Sequence, residues 1–419
     1  MKTKAVRLYG EKDLRLEEFE LPPIAEDEIL MRVVSDSLCM SSYKAALQGA
    51  RHKRVPNDVA DKPIIIGHEF CGELIEVGSR WQGQFRVGQK ASIQPAIPNN
   101  HLAAPGYSYP YVGGNATYVI LPAKLMEEGC LLPYEGEAFF CGSLSEPLSC
   151  VIGAYHACYH TEAGVYQHKM GIVEGGKLAL LASVGPMGLA AIDYAIHGDR
   201  KPSVLVVTDI DDARLERAAR ILTVEDAAKN GVQLTYLNTG KTEDPAAALR
   251  ALSGGDGFDD VFVFAPVPAL IEHADDILGH DGCLNFFSGP TTPDFKAKFN
   301  FYDVHYDATH IVGTSGGNTD DMKESLALMA AGRMTPAALI THVGGLDSAA
   351  EATLNLPGIP GGKKLIYTHV QMPLTAISDF AEKGKTDPFF RELATLTQKT
   401  GGLWNAEAER YLLSNAKPL

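Results

Sequence analysis

The 419-residue sequence is poor in the features that would set it apart from ordinary globular chains. It has no Cys-x-x-C pair, and its seven cysteines (Cys39, Cys71, Cys130, Cys141, Cys150, Cys158 and Cys283) form an odd, scattered set that argues against a disulfide framework. No stretch reaches the roughly 20 apolar residues a membrane span needs. Residues 1–10 mix Lys2, Lys4 and Arg7 without an apolar run of signal-peptide length, so a cytoplasmic protein is expected, with no membrane partner. Cations are scarce: 37 Lys and Arg face 52 Asp and Glu, a formal net charge of −15. That balance argues against a nucleic-acid partner, since binding by counterion release needs Lys and Arg clustered on one face. It also means that an anionic small molecule must be drawn in by a local cationic patch against the overall field. Internal repeats and low-complexity segments are absent too.

What is present is a chain too long for one ordinary core, with 45% hydrophobic and 21% charged residues, so two domains are expected. Residues 3–119 read as short strands broken by Gly and Pro, for example 28–34, 72–77 and 89–94. From about residue 177 the texture becomes an alternation of apolar strands (177–181, 203–208, 260–264, 282–287, 310–314) and helices (188–197, 213–221, 269–278). Such density predicts a parallel sheet covered on both faces. A helix at 320–331, a strand at 363–367 and two amphipathic helices after residue 371 follow. The economical architecture is α/β: a mostly-β domain built from both chain ends, with a dinucleotide-type domain inserted between them.

Leu178-Ala179-Leu180-Leu181-Ala182 runs into Ser183-Val184-Gly185-Pro186-Met187-Gly188 and then a helix. The first N–H groups of a helix lack internal partners and carry partial positive charge, so this turn can cradle a pyrophosphate. Ser183 replaces the first Gly of G-x-G-x-x-G, which weakens the motif on its own. Asp209 ends the next strand at the position where a carboxylate accepts from a ribose 2′-OH and repels a 2′-phosphate. NAD(H) is therefore expected over NADP(H), with NADP(H) still possible. The plainer alternative is a tight turn capped by Asp209.

Cys39, His68 and Glu146, with Glu69 beside His68, supply a thiolate, an imidazole and carboxylates from distant loops. Three such ligands leave a fourth position for water or a substrate oxygen, the catalytic type of zinc site. Singly, each of these residues is more often structural.

Together, Cys39, Gly67-His68-Glu69, Glu146-Pro147 and Gly185-Pro186-Met187-Gly188 resemble the zinc-dependent medium-chain dehydrogenases, in particular the polyol branch that includes the sorbitol dehydrogenases. The resemblance runs over residues 3–370. Asp36-Ser37-Leu38-Cys39, Pro63-Ile64-Ile65-Ile66-Gly67-His68-Glu69-Phe70-Cys71-Gly72, Asn300-Phe301-Tyr302-Asp303-Val304-His305-Tyr306 and Gly313-Thr314-Ser315-Gly316-Gly317-Asn318 further resemble the ketose-phosphate reductases of that branch, and this likeness extends through the tail. It implies a GroES-like mostly-β catalytic domain over 1–153, a Rossmann-type doubly wound parallel sheet over 154–316, and a return to the catalytic domain with a C-terminal helical extension over 317–419.

The resemblance also implies Cys39, His68 and Glu146 around one catalytic zinc, with Glu69 bound directly or exchanging with water, and Ser41 relaying the proton. Ser183, Gly185, Pro186, Met187, Gly188, Asp209, Thr314 and Ser315 would contact the cofactor. A hydroxyl touching a zinc-polarised oxygen can supply or remove its proton, while the hydride belongs to the nicotinamide.

Two departures stand out. Many relatives hold a structural zinc with four cysteines in the lobe matching residues 95–114; this segment has none, so one zinc per chain is expected. Where many relatives carry an Asp and a relay His, three and five positions after the ligand Cys, this chain has Ser42 and Lys44. Lys44 either joins a proton chain or holds a substrate phosphate together with Arg51, Lys53 or Arg54, the densest basic run in the chain; the competing reading of that run is a solvated loop. The expected reaction is reduction of a ketose 1-phosphate, such as L-sorbose 1-phosphate, to a hexitol phosphate (D-glucitol 6-phosphate), or its reverse. Dehydrogenation of an unphosphorylated polyol is the neighbouring alternative, and a catalytically silent cofactor-binding regulator the alternative of another class. The family favours a homo-oligomer, dimer or tetramer.

Overall fold

A computed structural model describes residues 1–98, 102–290 and 292–419. Asn99, Asn100 and His101, within the lobe compared above with a structural-zinc loop, lie outside the described residues. The chain forms two compact units, an outer one of residues 1–146 and 340–419 and an inner one of residues 147–339.

The outer unit is built on an eight-stranded sheet in the order Thr375–Ala376, Ile340–Gly345, Lys363–Tyr367, Ile29–Ser37, Phe70–Val77, Lys90–Ile93 and Leu131–Pro133, with Tyr118–Leu121 also pairing to Ile29–Ser37. Ile29–Ser37 is buried along almost its whole length, first by apolar residues and then by Ser35, Asp36 and Ser37. Buried polar groups must be hydrogen-bonded, so this polar end marks where the strand leaves plain core and enters a site. A three-stranded sheet pairs Lys2–Gly10 with Asp13–Glu20 and Ile64–Ile65 and delivers the chain to His68.

The tail adds helices Pro388–Gln398 and Ala406–Asn415. Glu409, 2% exposed, accepts from the N–H groups of Phe139 (2.7 Å) and Phe140 (2.8 Å) and from Tyr367 Oη (2.9 Å). Trp404 Nε1 donates to the same Tyr367 oxygen at 2.7 Å. A carboxylate on the orphan N–H groups at a helix start is a strong cap, so the tail fixes the beginning of helix Phe139–Ala157.

The inner unit holds a six-stranded, wholly parallel sheet in the order Gln233–Asn238, Val204–Asp209, Lys177–Leu181, Phe258–Val263, Leu278–Phe286 and His310–Val312. Alternate residues feed opposite faces: Leu178, Leu180, Leu205 and Val207 join one core, Ala179, Leu181 and Val206 the other. This is the doubly wound order expected of a dinucleotide-binding sheet. Lys177–Leu181 and Lys363–Tyr367 match the predicted strands. The last strand predicted for this sheet stops at Val312, which leaves Thr314 and Ser315 in the following turn.

The unit boundaries differ from those expected. They fall at 146/147 and 339/340 rather than 153/154 and 316/317. The reason is packing: Leu148, Val151, Ile152 and Tyr155 on one side, and Leu328, Met334, Ala338 and Leu339 on the other, are buried in the inner core. Among the described residues no helix is long and apolar enough to cross a membrane.

Candidate metal centre and nucleotide loop

Cys39 is the N-cap of helix Met40–Gln48. Two residues on, Ser41 Oγ donates to Cys39 Sγ at 3.0 Å and lies 3.2 Å from His68 Nε2. Ser42, which is buried, places its Oγ 3.2 Å from the other ring nitrogen, His68 Nδ1. The first helical turn therefore grips one imidazole from both ends. Tyr107 adds its hydroxyl 3.3 Å from His68 Nε2.

The loop carrying His68 and Glu69 turns at Gly67, whose φ of 93° favours glycine and where a Cβ would collide with Asn115 and Asp36. Asn115 Nδ2 donates to Asp36 Oδ2, and Asp36 Oδ1 accepts from Glu69 N at 3.2 Å. Glu69, 1% exposed, accepts from Lys363 Nζ on both oxygens, at 2.5 and 2.6 Å. Ligand atoms of Cys39, His68 and Glu69 all lie within 4.8 Å of one another.

The charges of this cluster are unbalanced. Burial and the neighbouring Glu69 push the Cys39 thiol and the Asp36 carboxyl up. Glu146 rises to about 7, through burial and then through Glu69 and Cys39, despite the opposing pull of His68. Burial holds His68 down. Burial also works to raise Glu69, but Lys363 and His68 more than offset it and leave that carboxyl below its ordinary value. A thiol, an imidazole and carboxylates forced together in low dielectric fit a divalent cation of the zinc type, whose charge supplies what one lysine does not.

The basic run divides. Arg51 pairs with Glu11 at 2.7 Å on the exposed surface, as the solvated-loop reading expected of it. The Arg54 guanidinium instead lies 5.4 Å from the Tyr107 ring centre, and His52 stacks on the same ring at 5.7 Å. Burial lowers His52, and Arg54, Lys53 and Lys44 lower it further, so these three cations share its neighbourhood. Lys44 is half-buried and stands three residues after Ser41 on the same helix.

In the inner unit, Ala182 (φ 53°) turns the chain after Lys177–Leu181, and Gly185 and Pro186 are the N-cap and first residue of helix Pro186–His197. Met187 is the next residue of that helix, and a Cβ on Gly188 would overlap the Ser183 main chain, so helix and loop meet closely there. The Ser183 hydroxyl is committed to Leu180 O at 2.9 Å and Ser183 N to Thr208 O at 2.9 Å; this residue holds the turn with groups a glycine lacks or shares. Asp209 Oδ1 accepts from Ile210 N (2.8 Å) and Asp211 N (3.2 Å), the capping role weighed above, while Oδ2 is not used in that cap. A cavity of about 240 Å³ opens among Leu181, Thr208, Ile210, Val267, Leu270 and His273. Thr314 Oγ1 is buried without a partner, and Ser315 is exposed.

Sequence reading missed Lys363, Asp36, Asn115, Tyr107 and Arg214, whose Nη2 stands 3.3 Å from where a Gly185 Cβ would be. Only the Ser35-Asp36-Ser37 run at the end of an apolar strand offered a signal.

The pattern of the alcohol dehydrogenase GroES-like domain matches residues 25–129, and that of the zinc-binding dehydrogenases residues 186–331. The chain belongs to this family of zinc-dependent, NAD(P)-linked dehydrogenases. It is 53% identical to the mannitol-1-phosphate 5-dehydrogenase of Aliivibrio fischeri, over 98% of this chain and 97% of that one. It is 51% identical to the L-sorbose 1-phosphate reductase of Klebsiella pneumoniae, over 100% of this chain and 98% of that one. The fold is that of 2R,3R-butanediol dehydrogenase from Bacillus subtilis, with a TM-score of 0.70 at 21% identity, covering 87% of this chain and 99% of that one.

Removing one partner of a buried ion pair leaves an uncompensated charge. In metal-free protein, Lys363→Met is expected to cost the outer unit roughly 3–5 kcal/mol, and Lys363→Met/Glu69→Met to recover most of it. Both tryptophans, Trp81 and Trp404, lie in that unit, so urea denaturation followed by tryptophan fluorescence reads it alone. Equal losses in the single and double variants would show the pair to be uncoupled.

Proposed function

We propose that the chain interconverts a ketose phosphate and a hexitol phosphate with a nicotinamide cofactor, reducing a ketose 1-phosphate such as L-sorbose 1-phosphate to D-glucitol 6-phosphate. The observation that carries the reading is the placement of Ser41 Oγ between Cys39 Sγ and His68 Nε2, with Arg54 packed on the tyrosine that touches the same imidazole. Cys39, His68 and Glu146 would hold one catalytic zinc, with no structural zinc in the 95–114 lobe. When bound, that ion polarises the substrate oxygen, and the nicotinamide carries the hydride.

The chain's own groups do the rest. With Ser42 Oγ accepting from His68 Nδ1–H, the Nε2 lone pair, now faced by the Ser41 and Tyr107 hydroxyls, would turn to the ion. Lys363 occupies both Glu69 oxygens, so that carboxylate, though within reach of Cys39 and His68, would be held back from the ion as a reserve of negative charge. The Ser41 hydroxyl would relay the proton, passing it to the substrate oxygen in reduction and receiving it in oxidation, and regain or release its own by exchange with water. Arg54 and Lys44 bind the phosphate, with Lys53 in reserve; Arg51 is taken up by Glu11.

The two relatives named above support phosphorylated substrates in different ways. In L-sorbose 1-phosphate the phosphate sits on the carbon next to the carbonyl, whereas a 5-dehydrogenase of mannitol 1-phosphate acts four carbons away from it. The 53% identity to the latter supports a second reading, oxidation at C5 of a hexitol 1-phosphate. A panel of ketose 1-phosphates, ketose 6-phosphates and free ketoses separates these readings. Arg54→Gln and Lys44→Met are each expected to raise KM for the phosphorylated substrate about tenfold or more, the worth of one charge-assisted hydrogen bond. KM for the free ketose should stay within about twofold; equal effects on both would remove the phosphate assignment.

Asp209 supports a preference for NAD(H), and Arg214 beside Gly185 supports a pyrophosphate contact. Asp209→Asn keeps the Oδ1 cap but removes the charge. It should narrow the ratio of kcat/KM for NADH over NADPH about tenfold, and a wild-type preference for NADPH would overturn the role given to Asp209.

The free edge strand His310–Val312, with exposed Ile311 and with Phe301, Tyr302 and Tyr306 on the helix before it, supports assembly as a homo-oligomer, dimer or tetramer. Gel filtration should give at least a dimer, shifted toward monomer by Ile311→Lys; a monomeric wild type contradicts this.

A further inference from the structure

The inner unit holds a second set of metal-ligating side chains, separate from the centre around Cys39. Cys283 pairs in register with Asp260 on one neighbouring strand and with His310 on the other. Register partners leave a sheet on the same face, so these three side chains stand in a row. Cys158, the first residue beyond helix Phe139–Ala157, meets that row. One donor atom from each of Cys158, Asp260 and Cys283 lies within 4.8 Å of the other two. All three residues are buried, at 0%, 2% and 0% exposure.

Each donor is held from behind. Asn285 Nδ2 donates to Cys158 Sγ at 3.5 Å and to Ala154 O at 2.8 Å. A carbonyl only accepts, so this second bond fixes which way the amide points and leaves its Oδ1 buried without a donor. Asp260 Oδ2 accepts from Val173 N at 3.0 Å, while Oδ1 faces His160 Nε2 at 3.3 Å. His160 Nδ1 in turn faces Asp281 O at 3.1 Å. On the far side of Cys283, His310 sets one ring nitrogen 2.9 Å from Ala308 O and the other 2.6 Å from Tyr159 O. Both partners are carbonyls, so His310 carries both ring protons and is a fixed cation.

Buried cysteines usually act as small apolar fillers. These two are faced instead by a carboxylate, a carboxamide and two imidazoles. A redox dithiol would need access for its oxidant, whereas a structural zinc site is normally closed. We propose that Cys158, Cys283 and Asp260 bind a structural zinc ion inside the parallel sheet domain. His160 Nε2, 3.3 Å from Asp260 Oδ1, backs that carboxylate and stands outside the three-donor cluster; it would have to move toward the two sulfurs to become a fourth ligand. Two thiolates and a carboxylate would be balanced by the ion and His310, with the Asp281 carboxylate, 3.5 Å from His160 Nδ1, the next charge outward. The ion pins the end of helix Phe139–Ala157 to the sheet. This adds one zinc to the single ion expected from the missing four-cysteine lobe.

The test is zinc content of the full-length protein after exhaustive dialysis. Two ions per chain are expected in the wild type, one in Cys39→Ser and one in Cys158→Ser. In the Cys39→Ser background, cobalt substitution should give sulfur-to-cobalt charge-transfer absorption that vanishes on adding Cys283→Ser, or Asp260→Asn if the cysteine variant fails to fold. A Cys39→Ser protein that holds no metal, metal there that is indifferent to Cys158→Ser, or a Cys158–Cys283 disulfide in the isolated protein would each overturn the proposal. One zinc, kept in Cys39→Ser and lost in Cys158→Ser, would instead defeat the assignment of Cys39 and leave this site standing.

Discussion

Four acidic groups, Asp36, Cys39, Glu69 and Glu146, are gathered in the outer unit around one fixed cation, Lys363. Everything else about the centre follows from how that imbalance is managed. Like charges at this spacing in low dielectric repel strongly, and the chain answers with main-chain and amide donors on Asp36, a bidentate lysine on Glu69 and hydroxyls on both nitrogens of His68. These contacts fix the geometry but hold Cys39, Asp36 and Glu146 toward their neutral forms, and a divalent ion would supply the positive charge that lets them ionise. Family membership agrees with that electrostatic reading.

Much of this was legible in the sequence because the relevant signals are local. The apolar run 177–181 and the Gly-rich turn after it announce strand, loop and helix within a dozen residues. Cys39, His68 and Glu146 stand out because their side chains can ligate wherever they sit. Lys363 was not legible in the same way. It opens an apolar strand beside Lys364 and reads as a strand end, and its meaning appears only when the sheet sets it against Glu69, 294 residues earlier. Asp36 and Tyr107 were hidden for the same reason. The compact units divide inside a single helix, Phe139–Ala157, which carries a ligand candidate, Glu146, before its inner-core residues, and a boundary within a helix leaves no loop signal in the sequence.

The basic run shows how local reading and tertiary placement divide the work. Arg51 and Arg54 are three residues apart and equivalent by composition. One is spent on Glu11 at the surface, while the other lies on the aromatic face of Tyr107. Ser183 makes a similar point: in a glycine's usual place it remains compatible with the turn because its hydroxyl bonds back to Leu180 O and points into the turn itself.

Glu409 and Lys363 both come from the last eighty residues, yet one caps the helix that contains Glu146 and the other neutralises Glu69. During synthesis, the inner sheet can close while the outer unit's eight-stranded sheet still lacks three of its strands and the partner of a carboxylate destined for burial. A chain cut short before residue 363 would carry Cys39, His68 and Glu146 without the cation that faces Glu69.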